Sequence, residues 1–185
     1  MNNPPVYLFA GSLAALVYLA VMFACGIPPA DESRIQARPD GVLEQLPEAV
    51  VAVEVARDGS TSRFRRRGAR WWNAGTAEYC TEAQTTSLEQ AMKIMHASAP
   101  VRILRPEDIA GLSAQAFGLD PPALRVRLST NDGLVLAANF GDRASDGVLQ
   151  YLRVEGHGET YLMSGFVGES WVRLSEREAP VATKK

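Results

Sequence analysis

The stretch AFGLDPPALRVRL, residues 116–128, ends a helix and begins a strand within a few positions. Gly118 suits the left-handed conformation that commonly ends a helix, and Pro121 and Pro122 prevent the helix from continuing. The run 124–128 then alternates apolar side chains with arginines, which is the pattern of a strand with one buried face. The stretch therefore predicts a helix–turn–strand junction in a chain of mixed α and β structure.

Working outward from this junction, alternating apolar residues and tight-turn sequences predict further strands. Asp58-Gly59 and Asn131-Asp132-Gly133 are typical of short hairpin turns. The predicted strands are 49–57, 60–74, 101–106, 124–129, 134–142, 147–156 and 160–165. The predicted helices are Thr76–Ala97, with Thr76 or Thr81 as its cap, then 106–117 and Phe166–Leu174. The fold class is α+β, with about seven strands in mostly antiparallel sheets and two or three helices. Both hairpins share one pattern, which leaves an internal duplication open.

The N-terminal segment predicts a membrane anchor. Val6–Cys25 carries no charged side chain and is long enough, as a helix of about 1.5 Å per residue, to cross a bilayer. We therefore expect a transmembrane anchor over 1–25. A cleaved signal peptide and a lipid attached to Cys25 are the alternatives. Gly11 and Ala15, four residues apart, could let a partner helix approach closely, although small residues are common in membrane helices.

The rest of the chain divides by composition. Residues 26–48 are rich in proline and charge and predict a linker, 49–175 an α+β domain, and 176–185 a disordered tail. The formal net charge of −2 argues against a nucleic-acid partner. The two cysteines, Cys25 and Cys80, do not suggest a disulfide framework or a metal site, and we expect both to be unpaired. No motif predicts a catalytic centre or a cofactor.

An arginine run followed by two tryptophans is the strongest candidate contact site. Its residues are Arg63, Arg65, Arg66, Arg67, Arg70, Trp71 and Trp72. The arginines could contact lipid head groups, an acidic partner protein or an acidic ligand. Alternatively, they belong to an edge strand whose charge discourages pairing with other sheets. Because neighbouring strand residues face opposite sides, one tryptophan is expected in the core. The other is either a contact residue or is covered by the helix that follows.

The junction also carries a resemblance to a known family. The motif Phe117, Gly118, Leu119, Asp120 and Pro121 is similar to an element of the bacterial domain-of-unknown-function family 4340. The other matching positions are Gly141, Tyr151, Tyr161, Leu162 and one of Trp71 and Trp72. The resemblance covers residues 49–174. It implies an anchored or exported protein whose domain lies outside the cytoplasmic membrane, and it supplies no catalytic residues.

These observations predict a non-enzymatic, single-pass protein of the bacterial inner membrane. Its soluble domain, which we expect to be periplasmic, would bind an integral membrane protein as an accessory or assembly subunit of a larger complex. Arg34 and Arg38, which follow the apolar segment, weakly favour the alternative of a cytoplasmic domain. Some members of the resembled family accompany ABC-type transporters, so an auxiliary role in such an export system is an alternative. This chain has one copy of the domain and no transporter-auxiliary domain, which weakens that link. An enzyme with an unrecognised site is the third hypothesis.

Overall fold

The computed structural model describes Tyr18 and residues 40–176. The predicted anchor with Gly11, Ala15 and Cys25, most of the predicted linker and nearly all of the predicted tail lie outside these residues. Within the described residues, no helix combines the length and the apolar character needed to cross a membrane. The chain divides into two compact units, and the second of them begins at Pro39 and contains residues 40–176.

The unit is built on one fully antiparallel sheet of nine strands. The strands are β1 Ala52–Arg57, β2 Ser60–Arg67, β3 Arg70–Asn73, β4 Glu78–Tyr79, β5 Arg102–Leu104, β6 Leu124–Thr130, β7 Gly133–Arg143, β8 Leu149–Val154 and β9 Thr160–Ser164. The helices are α1 Glu82–Ala97 and α2 Gly165–Glu176. Across the sheet the order is β4-β3-β2-β1-β6-β7-β8-β9-β5. The α+β class and the antiparallel pairing are confirmed.

The order of elements repeats. Strands β1 to β4 form a meander that leads into α1, and strands β6 to β9 form a second meander that leads into α2. The first strands of the two meanders, β1 and β6, pair antiparallel at the centre of the sheet. This arrangement fits the internal duplication that the two similar hairpins leave open.

Both helices contribute to a single core on one face of the sheet. Alternate residues of the central strands, such as Val53, Val126 and Phe140, are buried on this face. In α1 the buried residues are Leu88, Ala91, Met92 and Met95, which follow helical spacing. We call this the helix side of the sheet, and its opposite the open side.

The prediction of about seven strands is too low, because residues 60–74 do not form one strand. Gly68 adopts a positive φ of 63°, which glycine allows at little cost, and the chain turns there. Arg67 and Arg70 therefore face each other across a two-residue hairpin, and β3 returns beside β2. The short strand β4 is the second addition.

Helix α1 begins later than Thr76 for a local reason. The side-chain oxygen of Asn73 accepts hydrogen bonds from the N–H groups of Gly75 (2.7 Å) and Thr76 (3.3 Å), which favours a turn over a helix. The chain then pairs as β4 before Thr81 starts the helix. Thr81 and Gln84 form a capping box, in which each side chain accepts from the backbone N–H of the other. Thr81, not Thr76, is therefore the cap.

Replacing Thr81 with alanine is expected to lower the free energy of unfolding by about 1 kcal/mol, because the Gln84 N–H loses its acceptor. Thr86→Ala is the matched control. Thr86 lies exposed inside α1, where alanine is the better helix former, so this change should be neutral or slightly stabilising. Chemical denaturation monitored by circular dichroism measures both. Equal effects of the two substitutions would contradict the capping assignment.

The predicted helix over 106–117 is instead two short 3₁₀ helices, Pro106–Ile109 and Ala114–Phe117. Gly111 lies between them with a φ of 89°, which is outside the helical region and interrupts the segment. Gly118 does end the second piece in the left-handed conformation, with a φ of 64°. Its predicted role as a cap is confirmed.

The folded unit extends into the predicted linker. Leu43 is fully buried, and its N–H lies 3.4 Å from the carbonyl oxygen of Met95 at the end of α1. The ring Nδ1 of His96 lies 2.7 Å from the Leu43 carbonyl oxygen. Gly41 lies so close that an added Cβ would stand 2.3 Å from two backbone oxygens of α1. Residues 40–48 therefore belong to the domain and close its core beside α1.

Candidate docking surface

The open side of the sheet is covered at one end only. There the segment 106–122 lies over β7, β8 and β9, and the Phe117 ring contacts the Tyr151 ring with centroids 4.9 Å apart. Phe117, Leu119 and Leu162 are buried in this second, smaller cluster, which lies apart from the main core. Within residues 40–176, no helix packs over the open side of β1, β2, β3 and β6, and their outward side chains are not covered by this part of the chain.

Arginines dominate this uncovered surface. We call it the arginine face, and it consists of Arg63, Arg65, Arg67, Arg70, Arg125 and Arg127, all of which are exposed. The strand register places all six on one side, because Arg65 lies opposite Trp72 and Arg127 lies opposite Glu54. Glu54 is the only carboxylate on the outward positions of these four strands, and it accepts a hydrogen bond from Arg63 Nε at 2.8 Å. The face is strongly basic in a chain whose net charge is −2.

Small residues form a trough through the arginine face. Ala52 and Ala56 on β1 point outward between the arginines of β2 and those of β6. Because neighbouring strands lie about 4.8 Å apart, the two arginine rows stand roughly 10 Å apart across β1. The resulting depression has a volume of about 320 Å³ and includes Arg63, Arg65 and Arg127 in its lining. Glu54 also lines the depression, so one carboxylate of the chain already lies between the two rows of guanidinium groups. Acidic side chains of another molecule would enter beside it.

Two members of the predicted site lie on the helix side instead. Trp71 is buried in the core with 1% exposure, and the Arg66 guanidinium stacks over its ring at 4.8 Å. Arg66 also lies 3.8 Å from the Glu89 carboxylate on α1. These residues join β2 to the helix layer, and the structure separates them from the other predicted contact residues.

The edge-strand interpretation does not fit the sheet order. Strands β3 and β4 both lie outside β2, so β2 is an interior strand with partners on each side. Charge that protects a free edge is therefore not needed at Arg63 or Arg65. Burial does not explain these arginines either, because they are exposed.

Trp72 lies on the arginine face, and α1 does not cover it. Its ring is half-buried beneath the guanidinium of Arg67, at 4.2 Å from the ring centre. The ring of Tyr79 on β4 meets it edge-on at 5.1 Å, and Arg70 stacks over Tyr79 at 4.2 Å. The sequence predicts Tyr79 to lie in a helix, and its position on this face is not predicted. Arg125 and Arg127 were also missed, although the alternation in 124–128 placed them on the exposed side of a strand.

The family-motif residues form a packing contact rather than an exposed site. An alanine Cβ at Gly141 would stand 2.1 Å from the Phe117 carbonyl oxygen, and one at Gly118 would stand 2.3 Å from Asp142 Cγ. Leu119 is buried over the same contact, and the Asp120–Pro121 peptide is cis. The motif holds the segment 106–122 against β7 and so sets where the open surface ends.

A second depression of about 390 Å³ lies between the segment 106–112 and the turn after β8. Its ionisable lining residues are Arg153 and His157, and Arg153 Nη2 donates to Thr160 Oγ1 at 3.0 Å. His157 Nδ1 lies 3.2 Å from the hydroxyl of Tyr161, whose pKa is raised by burial and then by the charges of Glu159 and Glu44. No acidic or nucleophilic side chain lines this depression among the described residues. Residues 40–176 also contain no cluster of three metal-ligating side chains.

The acidic residues of the hairpins have local roles. Asp146 accepts hydrogen bonds from the N–H groups of Leu149 and Val148, which lower the pKa of its carboxyl group. Such bonds are typical of aspartate in turns. Asp146 is therefore explained by its turn and not by a reaction centre.

Comparisons with known proteins give no information about the family or the function of this chain. The resemblance to family 4340 therefore stays a prediction that depends on the motif residues above. No protein-family model matches the chain, and no curated protein or solved structure is significantly similar to it.

Proposed function

We propose that this chain is a non-enzymatic accessory subunit of a bacterial inner-membrane complex, in which its domain binds an acidic surface of an integral membrane protein. The N-terminal apolar segment would anchor it as a single-pass protein, and the domain would lie in the periplasm. The observation that carries the proposal is the arginine face, which is exposed and basic. Within the described residues, Glu54 pairs with Arg63 and Asn139 accepts from Arg125, and no carboxylate pairs with the other arginines of the face.

Charge supports a protein-binding role for this surface. Six guanidinium groups share the face with a single carboxylate, which pairs with Arg63. The other arginines repel one another and gain when acidic groups approach. Surfaces of opposite charge steer association and select the correct partner. Arginine and tryptophan are also the side chains that most often dominate binding energy at protein interfaces. The arginine face has both, arranged around a trough.

The predicted membrane anchor favours an integral partner. The predicted tether begins at residue 26, and it would hold the domain close to the bilayer, where neighbouring membrane proteins are present at high effective concentration. A weak electrostatic contact could then suffice for assembly. Gly11 and Ala15 remain the predicted packing residues for a partner helix.

The proposal is tested by reversing charge on the face. The double variant Arg65→Glu with Arg127→Glu should reduce recovery of the co-purifying membrane protein at least tenfold after mild detergent extraction. The matched control is Lys93→Glu with Arg173→Glu, which makes the same charge change at exposed positions on the helix side. The control should retain the partner, and raising the salt concentration should weaken the wild-type complex.

Two results would contradict the proposal. If the wild-type chain is extracted at native expression as a lone monomer, it has no bound partner and is not a subunit of a complex. Equal loss of the partner in both double variants would show that net charge matters and that the arginine face does not.

A further inference from the structure

Two arginines at the end of the arginine face are held in an unusual arrangement. The Gly68-Ala69 turn places Arg67 directly opposite Arg70 on neighbouring strands. Like charges in this position destabilise a sheet, because the side chains are only about 5 Å apart at their Cβ atoms. Among the described residues, neither guanidinium forms an ion pair with a carboxylate. The pair thus carries two positive charges without compensation.

Aromatic rings fix the orientation of both guanidinium groups. Arg67 lies over the Trp72 ring and Arg70 over the Tyr79 ring, each at 4.2 Å, and the two rings contact each other at 5.1 Å. Stacking of this kind is attractive even at exposed sites, because the face of the ring is electron-rich. It occupies the flat face of each guanidinium and leaves the N–H groups at its rim available as donors. Less side-chain entropy is then lost when an anion binds.

We infer that Arg67 and Arg70 form a clamp for a carboxylate of the acidic partner. One carboxylate placed between the two guanidinium groups would accept N–H donors from both and remove their repulsion. Trp72 and Tyr79 act as positioning residues, since they hold the donors at the distance that the hairpin sets. This inference rests on the proposed function and names the chemical group that the face recognises.

The chain itself shows the chemistry on the same face. Arg63 Nε donates to the Glu54 carboxylate at 2.8 Å, from the neighbouring strand. Arg67 and Arg70 lie farther toward the β4 edge, and the outward positions beside them carry no acidic residue. A partner would supply a carboxylate to Arg67 and Arg70, as Glu54 does to Arg63. We infer a carboxylate because it is the anion that an arginine of this face already binds within the chain.

A peptide-binding experiment tests the clamp on the full chain in micelles of a neutral detergent. The probe is a hexaglutamate peptide at low salt, with hexaglutamine as the uncharged probe. Fluorescence provides the readout, because Trp72 is half-exposed while Trp71 and Trp171 are buried. Hexaglutamate should change the Trp72 signal, hexaglutamine should not, and Trp72→Phe should remove the change.

The decisive variants keep the positive charge and remove the planar guanidinium groups. Arg67→Lys with Arg70→Lys should raise the Kd for hexaglutamate about tenfold, since lysine has neither the planar donors nor the same stacking. The control Arg102→Lys with Arg173→Lys makes the same chemical change at exposed positions outside the arginine face, and its Kd should stay within about twofold.

Several outcomes would overturn the clamp while leaving the proposed function intact. Unchanged binding of hexaglutamate by the variant Arg67→Lys with Arg70→Lys would mean that only positive charge is sensed. Binding to vesicles of phosphatidylglycerol without binding of hexaglutamate would assign the face to lipid phosphates. No binding of hexaglutamate to the wild-type chain would likewise refute the clamp. If the lysine variants show that only charge is sensed, loss of the membrane partner through Arg65→Glu with Arg127→Glu would still support the proposed function.

Discussion

Gly141→Ala is expected to lower the free energy of unfolding by about 3 kcal/mol, the upper end of what overpacking usually costs. The added Cβ would stand 2.1 Å from the Phe117 carbonyl oxygen and 3.0 Å from Leu119 Cγ. The first contact is with backbone, so no side-chain rotation can relieve it. For a chain of this size the melting temperature should fall by roughly 6–12 °C.

The segment opposite Gly141 cannot easily retreat. Phe117 and Leu119 are both buried, and Gly118 between them is held against Asp142 so closely that its own Cβ would stand 2.3 Å from Asp142 Cγ. Moving the segment by the required distance would expose both apolar side chains. The cost therefore appears either as a clash or as lost burial, and both lower stability.

Gly158→Ala is the control for Gly141→Ala. An alanine Cβ there would lie 3.5 Å from Pro106 Cγ, which is ordinary van der Waals contact, and Gly158 does not have a positive φ. This substitution should change stability by less than about 0.5 kcal/mol. Thermal unfolding of the purified full chain, followed by circular dichroism, compares the two. Equal melting temperatures would show that the segment 117–119 is not fixed on β7.

The contact at Gly141 shows what sequence patterns can and cannot predict. The motif 117–121 carries its own turn chemistry, so Gly118 was predicted as a helix end from local rules. That Gly141 lies under the motif is a contact between distant segments, and alternation alone does not specify it. The resemblance to family 4340 pointed to both elements but gave no reason for their pairing. The structure supplies a steric reason.

The errors in the predicted elements also have local causes. A glycine inside an arginine-rich strand was treated as part of the strand, although Gly68 makes a turn. Residues 76–79 have helix-compatible composition, but the Asn73 side chain favours a turn and Thr81 supplies a stronger start. Both misses involve a single side chain or a single φ angle that overrides the average preference of its neighbours.

The candidate site was predicted in part for a similar reason. Alternation separates the arginines of one strand into two faces, so Arg66, two residues after the apolar Phe64, could be assigned to the inward face from the sequence alone. Which strands lie side by side decides the surface, and that depends on the sheet order. Arg125 and Arg127 join Arg63 and Arg65 because β1 pairs with both β2 and β6. No sequence-local signal indicates that pairing.

Trp171→Ala is expected to cost about 3–5 kcal/mol of unfolding free energy, the largest effect of any substitution proposed for this chain. Trp171 lies on α2, is fully buried, and belongs to the core between the helices and the sheet. Alanine would leave a cavity that the surrounding strands, which are fixed by their hydrogen bonds, can fill only partly. Chemical denaturation of the full chain measures the loss.

Trp171→Phe separates packing from hydrogen bonding. The indole Nε1 of Trp171 is buried and has no hydrogen-bond partner among the described residues. Phenylalanine removes this unsatisfied donor, whose burial is itself unfavourable, and keeps much of the apolar volume. The loss should therefore be about 1.5 kcal/mol or less. If Trp171→Phe were as destabilising as Trp171→Ala, the indole N–H would have to bind a group that the described residues do not show.

Trp72→Ala makes the same chemical change on the other side of the sheet and should give the reverse pattern. Trp72 is only half-buried, so its loss should cost about 1–1.5 kcal/mol, yet the clamp formed by Arg67 and Arg70 depends on its ring. Trp171→Ala should lower stability and leave hexaglutamate binding unchanged wherever the chain is still folded. A larger stability loss for Trp72→Ala than for Trp171→Ala would mean that the open side of the sheet is buried in the native protein, and the docking surface would have to be abandoned.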